Sequence, residues 1–263
     1  MLTLAFDTAT MWGRFALAEN GQVLQYRPLN VSGSYADSLL LVMQEMLAEA
    51  GRSRSDLEAV AVTVGPGSFT GVRIGVATAK GLAWGLGCRL HATTSLEAMA
   101  GALLAEHPDA EAAVPVLDAR RGEIFAGYYR RRDGWVEPVA EPAALKPDQW
   151  WDRIKGLAPD VDQPVYGGDG TALLLGQGET LRPELASRGE PVLRRWTTAH
   201  PATAPALAAA VSSGNPLLEA VHPFTLVPRY LRGSDAELKK KINLTPDTPS
   251  TEIASFSSRK DRS

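Results

Sequence analysis

With 263 residues, 44% of them hydrophobic and 22% charged, the chain has the composition of an ordinary globular protein with enough length for a sizeable core. A net charge of −3 and a pI near 5.9 argue against a protein that grips phosphate backbones through bulk charge, so any RNA substrate is expected to be held by something else. A single cysteine, Cys88, excludes an intrachain disulfide framework and predicts a reducing compartment; the start, MLTLAFDTATMW, lacks the pattern of a signal peptide, and no apolar stretch is long enough to span a bilayer. A cytoplasmic location is expected.

Leu2–Asp7 and Arg14–Ala18 read as strands. Asn20-Gly21 then supplies the positive φ angles of a type I′ turn, which predicts a returning strand over Val23–Tyr26. A helix follows over roughly Ala36–Ala50, stopped by Gly51. Ala59–Val64 reads as a buried strand and Ser68–Leu86 as a long helix, with the Ser68 hydroxyl as its cap after the turn Gly65-Pro66-Gly67. Arg89–Ala92 is a further strand, and Ser95–Ala105 a helix with Ser95 as N-cap.

The second half repeats that order. Ala113–Leu117 ends at Asp118 as Leu2–Phe6 ends at Asp7, Glu123–Arg130 returns through Asp133-Gly134 into Trp135–Val139, and a helix around Pro147–Gly156 precedes a strand over Gln163–Gly167. The Ala-rich stretch Ala202–Ser213 is helical by propensity. The repeated string predicts an α/β duplication of two lobes with mixed sheets, one over 1–104 with a return helix at 202–214 and the other over 105–201. This arrangement is similar to the actin-like, ribonuclease-H-like (ASKHA) class that includes Hsp70 and the sugar kinases. Residues 233–263, with Lys239-Lys240-Lys241 and a polar end, hold too little apolar content to pack and read as a disordered tail.

Helix Ser68–Leu86 carries glycines at 71, 75, 81 and 85, each costing about 1 kcal/mol relative to alanine in a helix interior. Their spacing of four predicts close backbone approach on one face. Phe69, Val72, Val76, Ala79, Ala83 and Leu86 form a stripe suited to covering a sheet, while Ile74, Ala77, Thr78, Gly81 and Gly85 form a second stripe nearly opposite. The first helix has an apolar arc wider than a sheet requires. Two helices with surplus apolar surface are what a helix-bundle interface uses, which assigns Leu39, Val42 and Met46 on the first, with Thr70, Ile74, Ala77, Thr78, Gly81 and Gly85 on the second, to a partner interface.

In the fold class above, a strand-ending acid organises magnesium and the first hairpin holds phosphate. Asp7 and Asp118 stand at strand ends, and Arg120, Gly168 and Asp169 fall at the same presumed cleft; these five are the candidates for a residual nucleotide site. The turn Asp7-Thr8-Ala9-Thr10 has no glycine for close approach and no lysine for a phosphate charge, which makes a structural turn the other reading of Asp7. No Gly-Lys-Ser/Thr follows Gly65-Pro66-Gly67-Ser68, so that turn is not a phosphate loop. The four histidines, His91, His107, His200 and His222, include no pair at helical metal spacing, and Cys88 and His91 would face opposite sides of a strand. No catalytic residue and no metal ligand is assigned. An ATP-dependent kinase or ATPase of the same fold class is the alternative function, and a protease a third.

The run from Gly65 to Ala83, GPGSFTGVRIGVATAKGLA, resembles the signature of the TsaB (YeaZ) family. Supporting matches are Phe6-Asp7-Thr8-Ala9-Thr10, Asp118-Ala119-Arg120 with Gly122-Glu123, Gly167-Gly168-Asp169-Gly170, and Tyr230-Leu231-Arg232, so the resemblance covers about residues 2–232. Tyr35 and Leu41 stand where relatives usually carry His and Pro. The resemblance implies a two-lobed dimerisation and activating subunit with no catalytic residue of its own. It would pair with a TsaD-type catalytic subunit and a TsaE-type ATPase to form N6-threonylcarbamoyladenosine beside the tRNA anticodon. It further implies contact with tRNA only through the complex, no cofactor required by this chain, ATP only at the partner or at the partner interface, and a homodimer as the pairing open to the isolated chain.

Overall fold

Strand β1 (Leu2–Asp7) sorts its side chains by size: in the computed structural model Leu2, Leu4 and Phe6 enter one core, and Ala5 enters another on the opposite face. Strands β2 (Trp12–Glu19) and β4 (Ala59–Thr63) repeat the pattern, with Phe15, Leu17, Val60 and Val62 on the bulky face and Ala16, Ala18, Ala59 and Ala61 on the small one. The structure describes residues 1–30, 35–154, 164–175, 196–197 and 199–232, the side chains of 35–38, 175 and 196 excepted. The expected tail over 233–263, the expected helix end at Gly156 and the strand start at Gln163 lie outside the described residues.

Strands β3 (Gln22–Asn30) and β5 (Arg89–Thr93) complete a first sheet of order β3-β2-β1-β4-β5, antiparallel through the hairpins and parallel from β1 to β5. A second sheet holds β6 (Ala112–Arg120), β7 (Glu123–Arg132), β8 (Trp135–Leu145), β9 (Val165–Gly167) and β10 (Trp196–Thr197) in the order β10-β9-β6-β7-β8. Read from its hairpin edge, this is the order of the first sheet, so the duplication is visible in the topology. The fold is the two-lobed, actin-like α/β duplication. Both hairpin turns have the residues their backbone requires: Asn20 and Gly21 at φ 52° and 87°, Asp133 and Gly134 at 43° and 77°.

Helices α1 (Tyr35–Glu49) and α2 (Phe69–Leu86) cover the bulky face of the first sheet. The small face packs on α3 (Ser95–Glu106) and α6 (Thr203–Ser212), whose Leu96, Met99, Leu103, Leu207 and Val211 fill the core shared with the second sheet. Helices α4 (Pro147–Ile154) and α5 (Thr171–Leu175) lie beyond that sheet, with Trp150 and Leu174 buried against it. Met1–Leu231 form one compact unit. Among the described residues no helix is long and apolar enough to cross a membrane.

Several boundaries differ from expectation, among them β3, which runs on to Asn30 beside β2 rather than ending at Tyr26. The N-cap of α3 is Thr94 rather than Ser95: its hydroxyl accepts from Glu97 N (3.1 Å), while the Glu97 carboxylate accepts from Thr94 N (2.8 Å), a reciprocal capping box that leaves Ser95 inside the first turn. Strand β6 runs past Asp118 to Arg120, because an irregularity between those two residues lets the pairing with β7 resume at Glu123. Strand β8 continues to Leu145, and α5 and β10 are elements the sequence reading lacks.

Candidate partner interface

Asp7, at the end of β1, does not present its carboxylate to a ligand. The residue is 1% exposed, and its oxygens accept from Ala9 N (2.9 Å), Thr63 Oγ1 (2.7 Å) and Thr203 Oγ1 (2.8 Å). The turn that would cradle phosphate in a kinase of this fold packs on α2 instead. Ala9 O accepts from Ser68 N at 2.6 Å, and Thr8 Oγ1 donates to Gly71 O at 2.8 Å. A Cβ at Gly67 would lie 2.4 Å from Ala9 O, one at Gly71 2.1 Å from Thr8 O, and one at Gly75 2.2 Å from Thr8 Oγ1. These three glycines exist to admit the turn. With the Asp7 carboxylate taken up by its three donors and the turn packed on α2, the residues here do not fit a magnesium–phosphate group.

The other cleft candidates do gather at one end of the second sheet. Asp169 Oδ1 accepts from Asp118 N (2.9 Å), Asp118 Oδ1 from Arg120 N (2.7 Å), and Arg120 Nη1 lies 3.4 Å from Asp118 Oδ2. Here too the glycines serve the fold: Gly168 has φ 121°, and a Cβ there would lie 2.2 Å from Val116 O. The sequence reading missed His200, whose carbonyl accepts from the buried Arg14 (Nη2, 3.3 Å) and whose Nε2 is buried without a partner. Burial pushes its imidazole pKa down, opposed by the negative charges of Asp7 and Asp169 and assisted by the positive charge of Arg14. Among the described residues no group of three or more His, Cys, Asp and Glu side chains could hold a metal ion.

The residues assigned in sequence to a partner interface fall largely on α2, which presents three sides at about 100° per residue. Val72, Val76, Ala79 and Ala83 are buried on the sheet. A second side lies under a strap, residues 216–231. The Tyr230 ring stacks on Phe69 at 4.9 Å, the Arg73 guanidinium sits 3.7 Å over Phe69 while its Nε donates to Tyr230 OH (2.8 Å), and Lys80 Nζ donates to Leu226 O (3.0 Å). Phe69 therefore belongs to the strap side and not to the sheet stripe. It is the first residue of the helix, where its ring can swing out to Tyr230. The third side carries Thr70, Ile74, Ala77, Thr78, Gly81 and Gly85. Thr70, Ala77, Gly81 and Gly85 are exposed, Ile74 and Thr78 half-buried, and a Cβ at Gly81 or Gly85 would meet nothing within 4 Å.

Helix α1 requires a correction. Leu39, Val42 and Met46, assigned above to the interface, are buried with β1 and β4 in the lobe's own core, because the sheet fixes the helix with that arc inward. Among the described side chains of α1, the large apolar residues left in solvent are Leu40 and Leu41. Cys88 is half-buried, and burial pushes its thiol pKa up, away from the reactive thiolate.

Comparison with known proteins agrees with this architecture. Residues 26–174 match the family model described as TsaD: tRNA N6-adenosine threonylcarbamoyltransferase. The tRNA threonylcarbamoyladenosine biosynthesis protein TsaB of Bacillus subtilis (strain 168) is 30% identical over 243 residues, covering 91% of this chain and 97% of the relative. Its counterpart in Escherichia coli (strain K12) is 33% identical over 191 residues, 70% of this chain and 82% of the relative. The solved structure of YeaZ from Pseudomonas aeruginosa superposes with a TM-score of 0.66 at 25% identity, covering 88% of this chain and 99% of that one.

Proposed function

This chain belongs to the TsaB family, and we propose that it serves N6-threonylcarbamoyladenosine formation in tRNA as a non-catalytic subunit that docks a TsaD-type catalytic partner on the free side of α2. The observation that carries the reading is the division of the four α2 glycines. Gly71 and Gly75 have an internal reason, the approach of Thr8, whereas Gly81 and Gly85 have none. Each glycine in a helix interior sacrifices about 1 kcal/mol relative to alanine. Two such residues on one exposed, uncharged side make sense where a partner's backbone comes close. In this reading ATP binds at the partner or at the interface with it, a TsaE-type ATPase acts on the assembled complex, and tRNA is reached through that complex. The buried, saturated Asp7 argues against the kinase or ATPase alternative.

Ala77→Glu tests the reading. It places a charge mid-way along the free side, where it meets water in the isolated chain, so melting should move by about 1 kcal/mol or less. In the docked state the charge is desolvated without a partner, and co-elution with the cognate TsaD-type subunit should be lost. Unchanged pairing would place the partner elsewhere on the chain.

A further inference from the structure

The free side of α2 is too small to hold a stable partner by itself. With 18 residues the helix is about 27 Å long and roughly 10 Å across, so that side supplies on the order of 300 Å², against the ~800 Å² per partner of a standard interface. A partner seated there has to spread sideways. Along one border, where the strap crosses α2, Trp84, Phe224 and Val227 are 63%, 65% and 66% exposed. The rings of Trp84 and Phe224 lie 4.6 Å apart at an interplanar angle of 59°. Single exposed apolar residues are ordinary, but a touching, exposed Trp84–Phe224 pair with exposed Val227 three residues further along the strap is a feature of the kind that marks an interaction site. The helix period places Trp84 between the strap side and the free side, and next to it Gly81 and Gly85 leave open space for an incoming side chain or backbone. Neither the sheet contact nor the strap needs the full indole, most of which stands in water.

We propose that Trp84, Phe224 and Val227 are the aromatic anchor of the docking face, seated among apolar side chains of the TsaD-type partner, so that the C-terminal strap is part of the interface. The proposal rests on the α2 docking reading above. The area argument requires a protein surface continuous with that helix. The charges argue against a single-stranded nucleic acid stacking on the same rings, because Arg73 and Lys80 are committed within the chain, to Tyr230 and to the Leu226 carbonyl. Tryptophan is also among the residue types enriched at interface hot spots.

The experiment measures the affinity of the full chain for its cognate TsaD-type subunit by titration calorimetry, for Trp84→Ala, Phe224→Ala, Trp84→Phe and Ala77→Glu, with melting of each isolated variant. Trp84→Ala and Phe224→Ala should each weaken pairing by about 10- to 100-fold while lowering melting by no more than a few degrees, the loss of one partly exposed ring contact, and the double variant should lose less than the product of the two because the rings touch. Trp84→Phe should retain most of the affinity. Affinities within twofold of the parent for both alanine variants, beside loss of pairing in Ala77→Glu, would overturn the anchor and leave the α2 reading standing. Weakened pairing in the alanine variants with normal pairing in Ala77→Glu would remove the α2 reading and with it the anchor as proposed, leaving contact through the strap alone. An effect of Trp84→Ala confined to binding of a single-stranded RNA oligonucleotide, or to self-association of the isolated chain, would also overturn it.

Discussion

Substituting alanine for each glycine of α2 separates folding from docking within one helix. At Gly81 and Gly85 the new methyl group meets nothing within 4 Å, so only the backbone preference changes. Each substitution should stabilise the isolated chain by about 1 kcal/mol, or roughly 2–4 °C in melting temperature for a chain of this size. At Gly71 the Cβ would lie 2.1 Å from Thr8 O and 3.3 Å from Thr8 C, an overlap with main-chain atoms that no rotamer change relieves. Overpacking of that kind costs about 1–3 kcal/mol or more, which exceeds the helix gain and should lower the melting temperature. At Gly75 the obstacle is Thr8 Oγ1, which can move only by giving up its 2.8 Å bond to Gly71 O, so a smaller loss of about 1 kcal/mol is expected. Scanning calorimetry at two chain concentrations measures the four variants, and pairing with the TsaD-type subunit is measured beside it. Gly81→Ala and Gly85→Ala should melt higher and pair more weakly. If either melts lower at both concentrations, that side of α2 is covered by the chain itself and the docking argument fails.

Two further outcomes follow from buried polar groups. Asp7→Asn should lower stability by about 1–3 kcal/mol, because an amide cannot accept all three hydrogen bonds that the carboxylate takes from Ala9, Thr63 and Thr203, and neither parent nor variant should hydrolyse ATP above buffer background; an unchanged melting temperature would refute the structural role. His91, whose Nδ1 lies 2.6 Å from Leu218 O, is held neutral by burial with its pKa below the ordinary imidazole value, so an unfolded chain takes up a proton that the folded one refuses. Stability is then fully present above about pH 6.5 and falls below it by up to about 1.4 kcal/mol per pH unit, with the same sign from His200; melting from pH 5 to 7.5 should show a shallower slope for His91→Asn, and an equal slope would refute the assignment.

Elements marked by local chemistry were legible in the sequence. Asn20-Gly21 and Asp133-Gly134 specify their turns by residue type, and short apolar runs between them left little choice of strand. Phase was harder to read. Leu39 to Met43 is an unbroken apolar run, so only the sheet beneath decides that Leu39 and Met43 turn inward while Leu40 and Leu41 remain in solvent. The cap of α3 was readable and was misplaced by one residue, since Glu97 stands three residues after Thr94 and not after Ser95. Helix α5 and strand β10 are too short to carry a period. His200 had no signal beyond a polar ring placed before Pro201. The four α2 glycines look alike as a spacing, and only the position of Thr8 divides them.

That division gives the two halves of α2 different structural duties. The β1–β2 turn, which elsewhere in the fold class faces phosphate, is packed here against Gly67, Gly71 and Gly75, so the first half of the GPGSFTGVRIGVATAKGLA segment is committed to closing its own lobe. Filling that site fixes α2 on the sheet through Val72 and Val76, and it also fixes the direction in which the second half points. Gly81, Gly85 and Trp84 are then carried on a helix whose N-terminal turn is held by Ser68 through Gly71 N and by Thr8 through Gly71 O. On this argument the two halves of the segment differ in kind: substitutions at Gly67, Gly71 or Gly75 weaken pairing only by lowering stability, whereas alanine at Gly81 or Gly85 should weaken pairing while raising stability.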